Sequence, residues 1–587
     1  MAYAIEQARE QVKKVIRKAA GAEEIEVKTP PPNVEADLSV PVFRIAQKTG
    51  RPAATEAAEL AKRIDLTGSL FSDVQASGGF LNFVLDPGLF SSAVVADLQH
   101  LGEAYGGSTE GEGKTIVIDY SSPNIAKPFS VGHLRSTIIG QSLYNLYTFL
   151  GYRVIGDNHI GDWGTQFGKL LWAFRQWGDR EKVEANAIEE LLQLYVRFHE
   201  EAEREPSLND EARAWFKRLE TGDPEARELW TWFRDVSWRE FQRVYELLEV
   251  QFDEVLGESF YNNMLAEVVK EAFDRGIAVW GVAKAPNEDN SPQAEEVHGE
   301  EKVALVPLDA YGLEAPLIIQ KSDGTSLYAT RDLATAKYRI QRWQPVEILY
   351  VVGSEQSLYF RQVFKALELL GYHAKCVHPS FGLIRLPEGR MSTRKGRVIF
   401  LEDVLKEAMN RAEAILEDRD MTSEEKREVA RIVGIGAVKY ADLSQNRTKE
   451  VVFDWDRMLN LKGDSAPYLQ YAHARIRSIL RNAATKPVDL VSVDATLLAM
   501  TEEQALVKSL AEFPEVVLQA ARTYSPHFLA SYLFSLAQTF NAFYGSVPVL
   551  RAESRALKDA RLFLCQACAQ VLRTGLRLLG IGVPERM

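Results

Sequence analysis

Cysteine is scarce in this chain, which has Cys376, Cys565 and Cys568 as its three cysteines among 587 residues. Three thiols are too few for a disulfide scaffold, and such rarity is typical of proteins kept in a reducing cytosol. The opening residues reach a charge at Glu6 before any apolar run develops, which is not the pattern of a secretory signal. We therefore expect a cytoplasmic protein.

Long uncharged runs are scarce as well. The longest stretch without Lys, Arg, Asp or Glu covers 523–550, and it contains Pro526, His527, Gln538 and Asn541. These polar groups and the proline disfavour a membrane span. The stretch predicts a buried helix followed by a turn.

The chain also lacks an overall basic charge. Its net charge is −13, but residues 451–587 carry 15 basic and 12 acidic side chains, which leaves −16 for the first 450 residues. An acidic body with a basic end can bind a polyanion locally. Uneven surface charge without any partner explains these counts equally well.

The length of the chain predicts several domains, because 587 residues exceed one ordinary core. Residues 1–110 have the pattern of a small α/β unit. A helical pattern covers about 5–20, and residues 78–84 predict a turn into a half-buried strand. The glycine-rich stretch 106–113 is typical of a linker.

Residues 111–400 alternate short apolar strands with helices, the pattern of a parallel sheet wrapped by helices. The predicted strands are Ile116–Ile118, Arg153–Ile155, Ile348–Val352 and Phe381–Leu386. A charged, mainly helical insertion at about 171–300, with an acidic loop at 286–292, interrupts the sheet. We expect stem helices at 401–450 and an all-α bundle at 451–587, so the predicted fold class is α/β with a helical C-terminal domain.

The most informative element follows the first of these strands. Residues 122–137 read Ser-Pro-Asn-Ile-Ala-Lys-Pro-Phe-Ser-Val-Gly-His-Leu-Arg-Ser-Thr and lead into a helical pattern that ends near Gly151. The sequence therefore predicts a strand, a tight loop and a helix whose start carries Ser130, Gly132 and His133. In that geometry, backbone N–H groups and an imidazole lie against the phosphates of a nucleotide.

A second element is the basic loop Arg390-Met391-Ser392-Thr393-Arg394-Lys395-Gly396. Such a loop can clamp the β- and γ-phosphates of a nucleotide and neutralise charge as pyrophosphate leaves. Exposed basic loops are common, so this loop alone is weak evidence. Its pairing with the first element in one interrupted sheet is strong evidence for a nucleotide site.

The first element resembles the HIGH motif of class I aminoacyl-tRNA synthetases, and the second resembles their KMSKS loop. The chain is similar to the arginyl-tRNA synthetase family in these elements and in three further segments, 158–168, 328–332 and 584–587. The resemblance spans the whole chain. It implies a Rossmann catalytic domain with a connective insertion, an N-terminal domain that contacts the tRNA elbow, and a C-terminal anticodon-binding domain.

The resemblance also implies a reaction. Arginine is activated with ATP and Mg²⁺ to arginyl-adenylate and is then transferred to the 2′-hydroxyl of the terminal adenosine of its tRNA. The family resembles the few synthetases that need bound tRNA before activation proceeds. A monomer without a tightly bound metal is expected by the same analogy.

Five positions match the family's arginine-binding residues. A guanidinium is planar, permanently charged and rich in donors, so its recognition needs carboxylates in a partly dry pocket. Asp332 and Glu258 match these carboxylates, and Tyr328 matches the hydroxyl beside them. Asn124 and Gln356 match the residues that fix the ammonium and carboxylate groups of the amino acid.

The resemblance implies two overlapping sets of residues around ATP. The catalytic set is Lys127, Ser130, His133, Arg390 and Lys395, and the other ATP contacts are Gly132, Met391, Ser392 and Arg394. Ser130 stands where the HIGH motif opens with histidine, and Arg390 stands where the KMSKS loop opens with lysine. In the family, the lysine upstream of the first motif, here Lys127, is thought to compensate for an incomplete lysine pattern.

The C-terminal region offers candidate contacts to tRNA. Tyr544 is a candidate for stacking on an anticodon base, and Arg475 and Arg481 are candidates for phosphate contacts. Core packing of the tyrosine and plain surface charge on the arginines are the alternatives. Cys565 and Cys568 have CxxC spacing without a second Cys or His pair nearby, which favours small buried residues over a zinc site.

Three rival functions fit parts of this pattern. A class I synthetase for another amino acid would not need the two acidic positions. A different HIGH-type nucleotidyltransferase, which joins ATP to a small acid, would not need the flanking domains. A catalytically silent RNA-binding paralogue is suggested by Ser130 and Arg390, but four matched residues argue against it: Lys127, His133, Asp332 and Lys395.

Overall fold

The computed structural model describes residues 2–31, 33–284, 300–385, 399–417, 419–452, 454–483 and 493–587. The N-terminal region contains helices α1 (Ala4–Ala20), α2 (Phe43–Thr49), α3 (Ala53–Arg63) and α4 (Pro87–Leu101), with strands β1 (Leu38–Pro41), β2 (Phe71–Ser77) and β3 (Phe80–Leu85). The strands form an antiparallel sheet in the order β1-β3-β2. The helix predicted at about 5–20 and the strand predicted to end near Val84 are confirmed.

The central region contains most of the strands. They are β4 (Thr115–Asp119), β5 (Arg153–Asp157), β6 (Val279–Lys284), β7 (Glu300–Val306), β8 (Leu317–Lys321), β9 (Glu347–Tyr350), β10 (Lys375–Val377), β11 (Ile384–Arg385) and β12 (Val451–Val452). Four of them form a parallel sheet in the order β10-β9-β4-β5. The class predicted from the sequence, a parallel sheet wrapped by helices, is therefore confirmed.

Helices cover this sheet and form the insertion. They are α5 (Val131–Phe149), α6 (Thr165–Trp177), α7 (Arg180–Ala185), α8 (Ala187–Arg204), α9 (Leu208–Glu220), α10 (Pro224–Leu247), α11 (Leu265–Asp274), α12 (Tyr328–Trp343), α13 (Ser357–Leu369), α14 (Leu401–Ile415), α15 (Ser423–Leu443) and α16 (Trp455–Met458). α6 to α10 confirm the predicted helical character of the insertion. The antiparallel sheet β6-β7-β8 that follows was not predicted, and the acidic loop at 286–292 lies outside the described residues.

One predicted strand was wrong in its length and its partner. Among the described residues of the run 381–386, Ile384 and Arg385 form β11, which pairs with β12. Phe381 contacts the chain just beyond β9 through an isolated parallel bridge with Gly353, and Leu386 lies outside the described residues. The fourth strand of the central sheet is β10, which pairs with β9 and contains Lys375, Cys376 and Val377. A three-residue strand that begins with a lysine has no clear apolar pattern, so periodicity could not reveal it.

The C-terminal region is a bundle of α17 (Ala466–Ala483), α18 (Thr501–Arg522), α19 (His527–Ser546) and α20 (Arg555–Leu578). α19 and the turn after it confirm the interpretation of the uncharged stretch 523–550. Cys565 and Cys568 are buried on α20, and burial raises the pKa of the Cys565 thiol to about 12. None of the helices in the described part of the chain has the length and apolarity that crossing a membrane requires.

α5 connects the central region to the bundle. Its Ser142 hydroxyl donates to the carbonyl of Leu578 at 3.1 Å, and its Tyr147 hydroxyl donates to the carbonyl of Ala521 at 3.1 Å. Both bonds are buried, so they fix the helix against α18 and the end of α20. The start of α5 is therefore held in place from the bundle as well as from the sheet.

Candidate active site

The loop between β4 and α5 is strained. Ser121, Ser122 and Ala126 have φ angles of 73°, 48° and 59°, although none is a glycine. Polar contacts hold the loop in this shape: the N–H of Ser122 donates to Asn158 Oδ1 at 3.1 Å, and that of Ala126 donates to Ser237 Oγ at 3.2 Å. Such strain is most often found where a backbone is fixed for ligand binding.

His133 lies at the start of α5, where Ser130 is the N-cap. The ring of His133 stacks on Phe129 with centroids 5.3 Å apart, and burial lowers its pKa to about 4. Its Nδ1 accepts the Ser130 N–H at 3.2 Å, which leaves the proton of the neutral ring on Nε2. His133 is therefore a neutral donor, and Gly132 beside it is exposed.

Lys127 supplies positive charge near this histidine. Its ammonium lies 6.0 Å from the centre of the Tyr195 ring, and it is close enough to contribute to the lowered pKa of His133. Because the neutral imidazole carries no charge, the positive charge in the described part of this loop belongs to Lys127.

The predicted residues of the basic loop lie outside the described residues: Arg390, Met391, Ser392, Arg394 and Lys395. The chain on either side is described. β11 ends at Arg385, and on the far side the carbonyl of Ile399 accepts the Val131 N–H at 3.2 Å. Phe400 pairs with Ser130 in an isolated antiparallel bridge. The chain that leaves the basic loop thus lies directly against the start of α5.

Asp332 lies one turn after Tyr328, which is the first residue of α12. Burial raises the pKa of Asp332, and a hydrogen bond donated by the Tyr359 hydroxyl opposes that rise. Tyr328 is half-buried, and the guanidinium carbon of Arg331 lies 6.0 Å from the centre of its ring. Tyr328 and Asp332 therefore lie one helical turn apart in the first turns of this helix.

Glu258 opens the short 3₁₀ helix Glu258–Met264. Burial raises its pKa to about 7, against the effect of Arg331 and with smaller contributions from Asp162 and Asp332. Glu258 and Asp332 thus share one electrostatic environment. Neither carboxylate forms an ion pair with any residue that the structure describes, although Arg331 and His159 favour ionisation of Glu258 from a greater distance.

Two neighbours that the sequence interpretation left without a role support Glu258. Asp162 accepts hydrogen bonds from the N–H and hydroxyl of Ser259, at 2.8 and 2.7 Å, and so fixes the turn that carries Glu258. Nδ1 of His159 lies 2.9 Å from the carbonyl of Leu256, and the histidine favours ionisation of both acidic residues of the pocket. The motif at 158–168 contains both His159 and Asp162. Its sequence alone does not show that they lie beside Glu258 and the turn that carries it.

A second pair of carboxylates lies at the ends of β4 and β5. Asp119 and Asp157 are direct partners in the parallel register of these strands. Arg339 on α12 lies 2.8 Å from each of them, and its side chain is 0% exposed. The fold therefore neutralises this pair with its own guanidinium, a contact that joins distant segments and was not predicted.

Asn124 and Gln356 also lie at the carboxyl edge of the sheet. Asn124 forms an isolated parallel bridge with Gly161, where an added Cβ would lie 2.1 Å from the Asn124 Oδ1. A larger residue than glycine would therefore displace this amide. Gln356 ends a short helix that begins at Ser354, just beyond β9, and caps α13. Ligands of open α/β sheets bind at this edge.

Tyr544, on α19, is half-buried and packs against the core of the bundle. Its ring stacks on Phe540 with centroids 6.0 Å apart, and the guanidinium of Arg475 lies 5.3 Å from its centre. Arg475 is exposed, and so is Arg481, which donates to the carbonyl of Glu585 at 3.2 Å. The structure thus brings Tyr544 and Arg475 together on the surface of the bundle.

An aromatic pair is exposed on the N-terminal region. Phe43 is 51% exposed and Phe80 is 38% exposed, and their rings meet edge to face at 5.4 Å. The exposed side chains of Arg44 and Lys48 follow on α2. Exposed aromatic rings beside basic side chains are typical of nucleic-acid contacts.

Arg135 ties α5 to the chain around the basic loop. Its buried guanidinium lies 2.8 Å from Asp442 on α15. It also donates to the carbonyls of Gly382, at 2.6 Å, and Lys449, at 2.8 Å. The helix that carries His133 is therefore bonded to the strand that enters the basic loop.

Arg447 extends this connection to the bundle. Its half-buried guanidinium donates to the carbonyl of Tyr524, between α18 and α19, at 2.9 Å, and to the carbonyl of Ser380. Its own carbonyl accepts the N–H of Gly382 at 2.9 Å. One side chain thus joins the bundle to the segment before β11.

The parallel sheet, the histidine-bearing helix and the inserted helices together define a class I aminoacyl-tRNA synthetase. Family models agree along the chain: the N-terminal domain of arginyl-tRNA synthetase matches residues 6–85, the class I (R) catalytic domain matches 95–455, and the DALR anticodon-binding domain matches 469–587. The chain belongs to the arginyl-tRNA synthetase family.

Similar proteins cover nearly the whole chain. An arginine–tRNA ligase of Chloroflexus aggregans is 46% identical over 569 residues, and one of Halothermothrix orenii is 41% identical over 571 residues, with 96% of both chains covered in each case. The structure is similar to that of Thermus thermophilus arginyl-tRNA synthetase, with a TM-score of 0.80 and 27% identity over 98% of this chain and 99% of the other.

Proposed function

We propose that this protein activates arginine with ATP and transfers it to the 2′-hydroxyl of the terminal adenosine of its tRNA. The observation that supports this proposal most directly is the pair Glu258 and Asp332, which share an electrostatic environment and form no ion pair with a described residue, although Arg331 favours ionisation of Glu258 and Arg339 that of Asp332. A substrate guanidinium would form direct charge-assisted hydrogen bonds with both carboxylates.

Selectivity follows from the same pair. Citrulline has no charge and would leave both carboxylates unmatched, so the pocket should reject it strongly. Lysine is charged but lacks the planar fork of five donors, so its rejection depends on geometry. A charge-assisted pair of this kind is worth roughly several kcal/mol, which is enough for discrimination without editing.

Activation needs no covalent enzyme intermediate. The carboxylate oxygen of arginine forms a bond to the α-phosphorus of ATP, and the bond from that phosphorus to the bridging oxygen of pyrophosphate breaks. We assign Asn124 and Gln356 to the ammonium and carboxylate groups of arginine. His133 donates its Nε2 proton in a hydrogen bond to a phosphate oxygen.

The positive charge of the reaction comes from other groups. Lys127 holds the triphosphate together with Arg390 and Lys395, and Ser130 keeps the His133 ring oriented. Gly132, Met391, Ser392 and Arg394 form the remaining ATP contacts in this proposal. Mg²⁺ enters with ATP and neutralises part of its charge. Within the described residues, no group of three or more His, Cys, Asp and Glu side chains could hold a metal ion.

Transfer RNA binds across all three regions in this proposal. The ring of Tyr544 stacks on an anticodon base, with Arg475 and Arg481 at phosphates, and the pair Phe43 and Phe80 contacts the elbow. The same proposal includes four domains, which cover 1–110, 111–400, 401–450 and 451–587. It also includes a monomeric enzyme with a cytoplasmic location.

The interdomain bonds support the further proposal that activation requires bound tRNA. Arg447 joins the bundle to the segment before β11, and Arg135 joins that segment to α5. A tRNA that binds the bundle can thus bias the position of the basic loop. We propose that this coupling makes activation depend on tRNA.

ATP–pyrophosphate exchange tests the proposal. Each amino acid is offered in turn, with and without the tRNA for arginine. We expect exchange with arginine alone, and only when tRNA is present. Exchange that ignores arginine under both conditions would overturn the function, whereas exchange with arginine in the absence of tRNA would overturn only the tRNA requirement.

A further inference from the structure

The carboxylate of Asp332 is held by a tyrosine that none of the sequence motifs included. The hydroxyl of Tyr359 donates to Asp332 Oδ2, and Tyr359 is 4% exposed. Among the described residues, this is the one hydrogen bond to the Asp332 side chain. The tyrosine therefore occupies one lone pair of one oxygen and leaves the remaining acceptor positions of the carboxylate for a ligand.

The hydrogen bond from Tyr359 to Asp332 also connects two helices. Tyr359 is the third residue of α13 and lies one helical turn after Gln356, which caps the same helix. Asp332 belongs to α12. The hydrogen bond thus joins the helix that carries the guanidinium partner to the turn proposed to bind the other end of the amino acid.

We infer that Tyr359 is a positioning residue for arginine recognition, which orients the Asp332 carboxylate and fixes its separation from Gln356. This inference rests on the proposed function of Asp332. Arginine would bridge the two ends of such a site, so recognition requires that their separation match the length of its side chain. A carboxylate without the phenol is free to adopt other rotamers, and each of them weakens the match.

The phenol also bears on the charge of the pocket. Asp332 is a buried carboxyl group with Glu258 as a like-charged neighbour, whereas His159 and Arg339 favour its ionised form and Asp119 opposes it. A hydrogen bond from a hydroxyl stabilises a carboxylate more than a carboxylic acid. Removal of the hydroxyl should therefore raise the pKa of Asp332 and weaken arginine binding at low pH.

The substitution Tyr359→Phe tests this role, because it removes the hydroxyl and keeps the buried ring. In ATP–pyrophosphate exchange with tRNA present, we expect the KM for arginine to rise about tenfold, with kcat within about threefold of the wild-type value. The KM for ATP should stay unchanged. The acidic limb of kcat/KM for arginine should move to higher pH.

The second readout is how well the enzyme discriminates arginine from a shorter homologue. The arginine homologue with one methylene fewer should be a poor substrate of the wild-type protein, and its disadvantage against arginine should shrink severalfold in the Tyr359→Phe variant. Tyr372→Phe is the matched control, since Tyr372 donates to Glu271 at 3.0 Å in the same region. The control variant should keep the wild-type KM, pH profile and discrimination.

A double-mutant cycle with Asp332→Asn distinguishes a failure of the inference about Tyr359 from a failure of the proposed function of the pocket. If Tyr359 acts through Asp332, its loss should have little further effect in the Asp332→Asn background. An unchanged arginine KM and pH profile in a folded Tyr359→Phe variant would overturn the inference, as would equal changes in kcat and in the KM for ATP. Wild-type kinetics in Asp332→Asn alone would instead overturn the proposed function of the pocket.

Discussion

Two pairs of carboxylates meet at the carboxyl edge of the central sheet, and the fold satisfies only one of them. Asp119 and Asp157 share the buried guanidinium of Arg339. Glu258 and Asp332 have no such partner among the described residues, and burial raises the pKa of both. In the first pair, two buried carboxylates are neutralised by one arginine of the same chain.

The difference shows how a binding site can be left incomplete. A buried carboxylate without an ion-pair partner costs free energy in the unliganded protein, and a ligand that pairs with it offsets that cost. A substrate that carries a guanidinium can do for the second pair what Arg339 does for the first. On this view, Asp119 and Asp157 contribute to the stability of the fold, whereas Glu258 and Asp332 serve the recognition of the substrate.

Removal of the internal guanidinium should have the largest effect. Arg339→Met leaves Asp119 and Asp157 buried without a cation, and we expect a loss of about 3–5 kcal/mol in the free energy of unfolding. Calorimetry of thermal unfolding measures it. Arg342→Met, on the exposed side of the same helix, is the control. Equal stability of the two variants would show that the first pair is not a structural one.

Asp332→Asn should act on recognition instead of stability. The amide keeps the shape but loses the charge, so kcat/KM for arginine should fall about a thousandfold, or roughly 4 kcal/mol, in ATP–pyrophosphate exchange. The unfolding temperature should change little. Asp420→Asn, at an exposed position, should behave as the wild type. If Asp332→Asn unfolds the protein instead, the contrast between the two pairs fails.

The pH dependence of arginine binding sharpens the same comparison. The pKa of Glu258 is raised from 4.5 to about 7, so in the free protein the group is about half protonated at pH 7 and increasingly protonated as pH falls below that value. Between pH 4.5 and 7, this carboxyl destabilises the folded state increasingly as pH rises, and bound arginine offsets that loss.

Affinity for arginine should therefore increase by up to about tenfold per pH unit as pH rises toward 7, and then level off. The KM for arginine, measured from pH 5.5 to 8.5, gives the slope, and Glu258→Gln should flatten it. A slope that persists unchanged in Glu258→Gln would assign the titration to another group.

The smallest effect is expected outside the catalytic region. Tyr544→Ala removes a proposed stacking surface, so the KM for tRNA should rise about tenfold, while the KM for arginine stays constant. Tyr544→Phe retains the ring and should keep the wild-type KM for tRNA. A change in the KM for arginine in the alanine variant would mean that the bundle affects the pocket directly.

Local sequence determined the elements that carry the site. The apolar strand at 116–118, the polar loop and the helical period after Val131 predicted a strand, loop and helix with His133 at its start, because these signals lie within one short segment. The motif at 328–332 marked Asp332, and the uncharged stretch 523–550 predicted a buried helix.

Only the tertiary structure decided which side chains complete one another. Arg339 meets Asp119 and Asp157, and Tyr359 meets Asp332, across chain separations that no periodicity spans. The same holds for the state of His133, which is neutral because burial opposes its charge and donates from Nε2 because a backbone N–H occupies Nδ1. Desolvation and long-range pairing arise when distant segments pack, so residue order alone cannot specify them.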